Sequence, residues 1–435
     1  MKSRLLALLL LLLPVVCHSQ YKPWYNMFNF AYGAKARAMG NAFTAVADDL
    51  TAAFWNPAGL VTGRGPEFYL GYKSTAQDHD YELQDRGVAG DTRLYNYNFD
   101  GRLSQIDFFA ISAPFLALKR SCAFALGYYR YIPYGFKGTV REVVTSLSGR
   151  FDPWRTTTSF SGSEGFDVIS FSLAVAAASR FTVGATLQQF FGSGSLHFNS
   201  ESHGKESHTE LTESVRGRNV ILGALLAPTD WLRLGASWHS GLPSRFDSSR
   251  LTWDVSPKGV RSGEEQADCQ AHAVLPEQYA VGALLRPLPW LDLSADYSVI
   301  AWDAATIEDY YGSAVMPYPQ KSDWTRGQKP ARNLRLGAEA RVPFRTRTLF
   351  LRGGWSQDSQ LYVDKHGSAV KLIGLAAGAG WEFSRHLLLE VSFQRQKADY
   401  SEDGYFGSKA EVPTHFRANA FFLALTYRFG HVFGK

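Results

Sequence analysis

The ten residues WLDLSADYSV (residues 290–299) carry the pattern that decides the fold. Apolar side chains occupy every second position, and Asp or Ser occupies the positions between them. This strict period of two is typical of a β-strand with one apolar and one polar face. The same alternation recurs in FSLAVAA (171–177), NLRLGAEA (333–340) and HLLLEVSFQRQ (386–396).

About fourteen such segments, of about 10 to 16 residues each, follow one another from Pro66 to the end of the chain. Short links alternate with long polar links, so all the long links emerge at one end. Short turns at one end and long loops at the other are typical of an outer-membrane barrel. The predicted long loops lie near residues 78–102, 136–163, 198–216, 247–273, 304–331, 359–368 and 402–414.

The first 19 residues have the parts of a secretory signal peptide: Lys2 and Arg4, the apolar run Leu5–Val16, and Ser19 before the cut. A lipoprotein signal with Cys17 as the lipidated residue is the alternative. Beyond this leader, no apolar run reaches the roughly 18 residues that a membrane helix needs. A membrane location therefore requires a barrel.

Charge and composition exclude several classes of protein. The chain has 45 basic and 40 acidic residues, and removing the leader's two cations leaves 43 against 40. This balance favours neither nucleic acid nor an acidic partner. Neither a G-x-S-x-G nucleophile pattern nor a Walker A loop is present, and no cofactor is expected. His197, His203 and His208 lack a metal-ligand spacing, so no metal site is predicted.

The segment before the first strand, GNAFTAVADDLTAAFWNPAGL (40–60), is too polar for a membrane helix. Short helices are expected in AKARAM (34–39) and AFTAVADDLTAAF (42–54), followed by a rigid turn at Asn56-Pro57. Together with GAKARAMG (33–40), the segment resembles the N-terminal signature of the FadL-like family of outer-membrane transporters. LPEQYAVGALLRP (275–287), LDLSADYSVIAW (291–302), DWTRGQKPARNLRLGAEARV (323–342) and LFLRGGWSQD (349–358) are similar to the family's late hairpins.

The resemblance implies an all-β fold: a transmembrane antiparallel barrel of about 14 strands with a helical hatch in its lumen. Its domains would be a signal peptide (1–19), the hatch (20–65) and the barrel (66–435). A lumen of this width needs a plug if it is not to leak. The hatch is expected to act as a gate, with a static plug as the alternative. The candidate gate residues are Gly33, Gly40, Asp48, Asp49, Trp55, Asn56, Pro57, Ala58 and Gly59.

In the family, an inward kink in the third strand opens the wall sideways. Gly127, Pro133 and Gly135 are the candidates for this kink, because Pro cannot donate to the strand ladder and Gly weakens it. The alternative is that Pro133 merely begins an external loop.

The resemblance therefore implies a monomer in the outer membrane of a Gram-negative bacterium, in contact with membrane lipid. It would take up hydrophobic small molecules such as fatty acids, lipids or hydrocarbons by passive diffusion. A barrel that docks partner proteins, such as secretion machinery, is the alternative function. Inward-facing Asp292, Asp296, Glu339 and Glu390 are expected to line the lumen and not to act as catalytic acids.

Overall fold

The computed structural model describes residues 31–63, 65–86, 92–146, 153–202, 205–309, 329–364, 367–403 and 411–429. The predicted signal peptide (1–19), the first part of the predicted hatch (20–30) and His203 lie outside these residues.

The described strands form one antiparallel sheet of 19 segments. The segments are β1 (Glu67–Arg86), β2 (Thr92–Ala117), β3 (Arg120–Pro133), β4 (Lys137–Ser146), β5 (Trp154–Ala178), β6 (Phe181–Phe191), β7 (Ser193–Ser202), β8 (Lys205–Leu226), β9 (Leu232–His239), β10 (Leu242–Val255), β11 (Arg261–Leu275), β12 (Gln278–Leu288), β13 (Leu291–Ile300), β14 (Thr306–Asp309), β15 (Ala331–Phe344), β16 (Arg347–Val363), β17 (Ala369–Ser384), β18 (Leu387–Asp403) and β19 (Glu411–Arg428).

These segments make a closed barrel of 14 strands, as predicted. Five barrel strands are interrupted and consist of two segments each: β3 with β4, β6 with β7, β9 with β10, β11 with β12, and β13 with β14. The barrel closes because β1 pairs with β19, in register from Glu67 opposite Arg428 to Tyr81 opposite Thr414. Closure pairs the first and last strands with each other, as a strand structure in a bilayer requires.

The alternation of burial shows which face meets the membrane. In β13, Asp292 and Asp296 are 4% and 3% exposed, whereas Leu293 and Tyr297 are 39% and 43% exposed. A soluble sandwich would bury its apolar face instead. The polar face therefore lines the lumen and the apolar face contacts lipid, as expected of an outer-membrane barrel.

Four of the predicted long loops are strand hairpins along most of their described length. The described parts of the regions near 78–102, 136–163, 198–216 and 247–273 consist mainly of paired strand, and the described turn at residues 256–260 joins β10 to β11. Outside the bilayer the outer face of a strand meets water, so the apolar lipid-facing side chains that mark the spanning segments are missing. Pairing between neighbouring strands nevertheless continues.

Residues 31–63, called the hatch segment below, are buried against the inner wall. The segment has two short helices, α1 (Ala34–Ala38) and α2 (Ala52–Trp55), followed by a 3₁₀ helix (Pro57–Thr62). A second 3₁₀ helix (Trp302–Ala304) lies between β13 and β14. Among the described residues, no helix is long and apolar enough to cross a membrane.

Of the short helices expected in residues 42–54, only the last forms, as α2 (Ala52–Trp55). The reason lies in the wall: the Asp296 carboxylate accepts hydrogen bonds from the backbone N–H groups of Phe43 and Thr44, at 2.8 and 2.6 Å. These bonds satisfy the polar backbone without a helix.

Glycines in the wall let the backbone of the hatch segment approach closely. A Cβ atom on Gly354 would lie 2.0 Å from the backbone nitrogen of Gly40, and one on Gly223 would lie 2.1 Å from Asn56 Oδ1. Any side chain at these positions would displace the segment. Further glycines of this kind are Gly184, Gly235, Gly337 and Gly378.

Candidate functional site

The wall is interrupted between the second and third barrel strands. Pairing of β2 with β3 ends at Phe108 opposite Tyr129, and pairing of β2 with β4 resumes at Arg102 opposite Lys137. Between these pairs, residues 103–107 of β2 face residues 130–136 of the third strand. The third strand thus carries two surplus residues, and the ladder cannot close across this stretch.

The surplus stretch bends into the lumen. A Cβ atom on Gly162 would lie 1.8 Å from the Tyr134 carbonyl oxygen, and one on Gly194 would lie 2.0 Å from the Tyr134 ring. Both glycines belong to the neighbouring strands β5 and β7. The bend remains attached to the fourth strand, because the Tyr134 N–H donates to the Glu164 carbonyl at 3.1 Å and the Gly162 N–H donates to the Phe136 carbonyl at 2.9 Å.

The three predicted kink residues lie at different positions relative to this bend. Pro133 ends β3 and Gly135 lies in the bend, whereas Gly127 pairs regularly with Ala110 and Ser170 on either side. The chain does not enter an external loop after Pro133, since strand pairing resumes at Lys137.

The hatch segment contacts this interruption through Tyr32. Its hydroxyl donates to the backbone carbonyl of Arg130, at 3.1 Å. Its ring lies 4.8 Å from the Phe54 ring and 4.6 Å from the Tyr129 ring, and Tyr129 stacks on Phe108 at 5.3 Å. An aromatic cluster therefore covers the lumen side of the gap. Tyr32 was not among the residues predicted from the sequence, although it lies next to Gly33 at the start of the N-terminal signature.

Asn56 joins the hatch segment to the wall. Its side-chain amide donates to the Thr44 carbonyl at 2.9 Å and to the Ala224 carbonyl of β8 at 3.0 Å. Its Oδ1 accepts the Ala58 N–H at 3.2 Å, and Pro57 starts the 3₁₀ helix. The turn is fully buried, and Asn56 is 0% exposed. Its side chain thus spans two parts of the hatch segment and one barrel strand.

The other predicted gate residues are packed in the same segment. Gly33 and Gly40 have φ angles of 94° and 62°, which favour glycine. A Cβ atom on Gly59 would lie 1.8 Å from the Ala47 carbonyl oxygen. The Trp55 indole N–H donates to the Tyr32 carbonyl at 2.9 Å. The conformation of the segment therefore depends on these residues, while motion of the segment stays a prediction.

The space beneath the hatch segment is highly charged. A cavity of about 570 Å³ lies at the end of the short turns and is lined by acidic and basic side chains from the segment and the wall. Lys35 of α1 contacts Asp48 at 2.9 Å and Glu339 of β15 at 3.1 Å. Arg352 bridges Glu339 and Glu390, at 2.7 Å each. An apolar molecule gains nothing by replacing water here.

Burial shifts the titration of one acid in the segment. Burial, with a smaller contribution from Glu390, raises the pKa of the Asp49 carboxyl to about 7. Thr51 opposes the shift, because its N–H and its hydroxyl both donate to Asp49 Oδ1, at 2.8 and 2.5 Å.

Above the hatch segment, the lumen wall is aromatic. Phe99 stacks on Phe160 at 5.3 Å, and Phe160 lies 6.4 Å from Phe198. Tyr134 of the bend lies 5.2 Å from Phe166, which extends the apolar surface to the gap. Phe99, Phe160 and Phe198 were not predicted as part of the lumen wall, because they lie in regions predicted as loops. Aromatic residues at inward positions of the continued strands were the available signal.

The carboxylates considered as catalytic acids have structural partners. Asp296 binds the hatch segment, Glu339 and Glu390 pair with Arg352, and Arg286 contacts Asp292 at 2.8 Å. Across the described ranges, no group of three or more His, Cys, Asp or Glu side chains is arranged to hold a metal ion.

Comparison with known proteins assigns the family. The family model described as outer membrane protein transport protein (OMPP1/FadL/TodX) matches residues 27–430. The chain belongs to this family. It is therefore a transport protein of the outer membrane and not an enzyme, and the family supports transport and not the alternative scaffold role. No curated protein matches the sequence significantly.

Solved structures of the family share the fold. A Pseudomonas aeruginosa FadL homologue is 15% identical, with a TM-score of 0.65 over 92% of this chain and 99% of its own. The P. putida toluene transporter TodX is 13% identical, with a TM-score of 0.58 over 92% and 99%. The Ralstonia pickettii toluene transporter TbuX is 15% identical, with a TM-score of 0.56 over the same shares.

Proposed function

We propose that this chain takes up hydrophobic molecules passively and releases them sideways through the gap between the second and third barrel strands. The observation that carries the proposal is the two-residue surplus of the third strand, bent inward at the level of the Tyr32 cluster. Solved relatives named as toluene transporters support an apolar substrate. Residues 20–65 would form the gate, and residues 66–435 a monomeric barrel in contact with lipid.

The route follows from the polarity of the lumen. The aromatic wall at Phe99, Phe160 and Phe198 offers an apolar surface near the outside. Each methylene moved from water onto such a surface gains about 0.8 kcal/mol, so capture is favourable and release is the harder step. The charged cavity beneath the hatch segment opposes a straight path to the periplasm. The gap beside Tyr134 leads to lipid instead.

Removing the surplus residues tests the lateral exit. Deletion of Tyr134 and Gly135 shortens the stretch of the third strand that faces β2 from seven residues to five, the length of the facing stretch of β2. Because two residues are removed, each remaining side chain keeps its inward or outward direction. β2 and the third strand should then pair continuously. Uptake of radiolabelled toluene and oleate is measured in cells that lack the native protein and express either the wild type or the deletion variant. We expect the deletion variant to take up neither compound, including the one that the wild type carries. The matched control deletes Lys258 and Gly259 in the β10–β11 turn and should keep uptake.

Barrel assembly must be measured alongside uptake, by heat-modifiable migration on gels. Full uptake by an assembled deletion variant would contradict the lateral exit. Mass spectrometry of compounds retained by the purified wild type supplies a separate test: failure to retain or carry any apolar compound would contradict transport itself.

A further inference from the structure

Three basic side chains project from the outer face of β18 and β19. Arg395, Lys397 and Arg417 are exposed, and Lys371 of β17 is exposed beside them. The residues that alternate with them in these strands face the lumen and are buried, namely Val370, Leu372, Gln394, Gln396, Phe416 and Ala418. The four cations therefore point away from the lumen. They are called the outer basic cluster below.

The cluster lies at the edge of the lipid-facing apolar band, on the side of the long strand hairpins that extend beyond the membrane. These are called the external hairpins below. Below the cluster in the same strands are the exposed apolar residues Phe393 (49%) and Phe421 (45%), and Leu375 (63%) lies beside Arg395 at the same level. Leu375 is opposite Arg395. Phe393 is opposite Phe421, and this pair lies two residues nearer the short turns than Arg395 does. The change from apolar to cationic side chains marks the headgroup level of the outer leaflet.

The cations repel one another. Lys397 and Arg417 are directly opposite in the β18–β19 ladder, a position in which like charges destabilise a sheet. Asp399, on the same outer face, is bound to His415 at 2.7 Å, and its charge offsets only part of the repulsion among the four cations. Asp78, opposite Arg417 on β1, attracts Arg417 from a distance greater than that of an ion pair. Among the residues that the structure describes, none of the four cations is ion-paired with a carboxylate.

We propose that the outer basic cluster binds the phosphorylated glycolipid of the outer leaflet, a lipid of the lipid A type. Arg and Lys form charge-assisted hydrogen bonds with phosphate oxygens, and the apolar band beneath them packs against the acyl chains. A phosphate between Lys397 and Arg417 converts their repulsion into attraction. The site is independent of the lumen and of the transported substrate.

The test compares purified wild-type protein with two charge-matched triple variants. Binding of bisphosphorylated lipid A is measured by native mass spectrometry and titration in detergent. Loss of three cations should weaken binding roughly 100-fold, since each cation near an anionic lipid surface contributes about fivefold. The control variant should bind like the wild type. The cluster variant is Arg395→Gln/Lys397→Gln/Arg417→Gln, and the control is Lys205→Gln/Arg250→Gln/Lys258→Gln in the external hairpins.

Several outcomes would overturn the proposal. The first is binding of lipid A by the cluster variant as tight as by the wild type. The second is a loss of binding in the control variant as large as in the cluster variant. The third is binding of dephosphorylated lipid A or of phosphatidylglycerol by the wild type as tight as its binding of lipid A. If the cluster variant does not fold, the wild type alone decides the question. Raising the salt to about 1 M, where screening acts over about 3 Å, should release lipid A from the wild type. Retention at that salt concentration would contradict recognition by charge.

Discussion

Gly353 and Gly354 are neighbours in β16, but only one of them touches the hatch segment. A Cβ atom on Gly354 would lie 2.0 Å from the Gly40 nitrogen, whereas one on Gly353 would have no atom within 4 Å. Gly354→Ala should therefore weaken docking of the hatch segment by about 1–3 kcal/mol, the usual effect of overpacking. Hydrogen exchange of residues 34–42 measures this. Gly353→Ala is the control, and equal exchange in both variants would contradict close packing.

Asn56 gives a second prediction at the residue scale. Asn56→Ala removes a donor from the buried Thr44 carbonyl and from the half-buried Ala224 carbonyl of β8, which costs about 1–3 kcal/mol. The barrel ladder is untouched, so assembly on heat-modifiable gels should be normal while limited proteolysis of the hatch segment accelerates and uptake changes. Asn98→Ala, on the exposed outer face, is the control. Loss of the folded barrel would instead mark the turn as essential for assembly.

At the scale of elements, the turn between Ala47 and Thr51 should make docking sensitive to pH. Docking raises the pKa of Asp49 from 3.8 to about 7, so the docked state holds a proton that the undocked state releases. Docking is therefore strongest near pH 4 and weakens as pH rises to about 7. Hydrogen exchange of residues 47–55, corrected for intrinsic rates, should show better protection at pH 5 than at pH 8.

The variant Asp49→Asn separates this effect from other titrations. It should protect residues 47–55 at pH 8 and remove most of the difference between the two pH values. Asp48→Asn serves as the control, because it breaks the Lys35 contact and leaves Asp49 in place. An unchanged pH difference in Asp49→Asn would assign the effect to another group.

At the scale of the whole molecule, barrel and hatch segment should be separable. The wall closes through its own strand ladders, including the fifteen-residue pairing of β1 with β19. Deletion of residues 31–63 should leave a barrel that assembles and conducts ions in planar bilayers, because wall side chains cannot fill a 14-strand lumen. The intact protein should conduct far less. An assembled but non-conducting deletion variant would mean that external hairpins seal the lumen.

How much of this could be read from the sequence depended on the surroundings of each residue. The period of two in β13 and β18 follows from one lipid face and one lumen face, so the strands were predictable. The external halves of β1 and β2 meet water on their outer face, so the apolar lipid-facing side chains that mark a spanning strand are missing there. The role of Tyr32 depends on contacts with residues 98 positions away, which no local pattern encodes.

The external hairpins have a consequence for where a molecule is first captured. β1 has 20 residues. At about 3.3 Å each they reach about 65 Å along the strand, and a spanning strand uses only about 10 of them. The external opening of the barrel thus lies above the bilayer, within or beyond the hydrated sugar coat that slows apolar solutes at a Gram-negative surface. The benefit of the protein to the cell should accordingly grow with the thickness of that coat, and strains with a shortened coat should depend on it least.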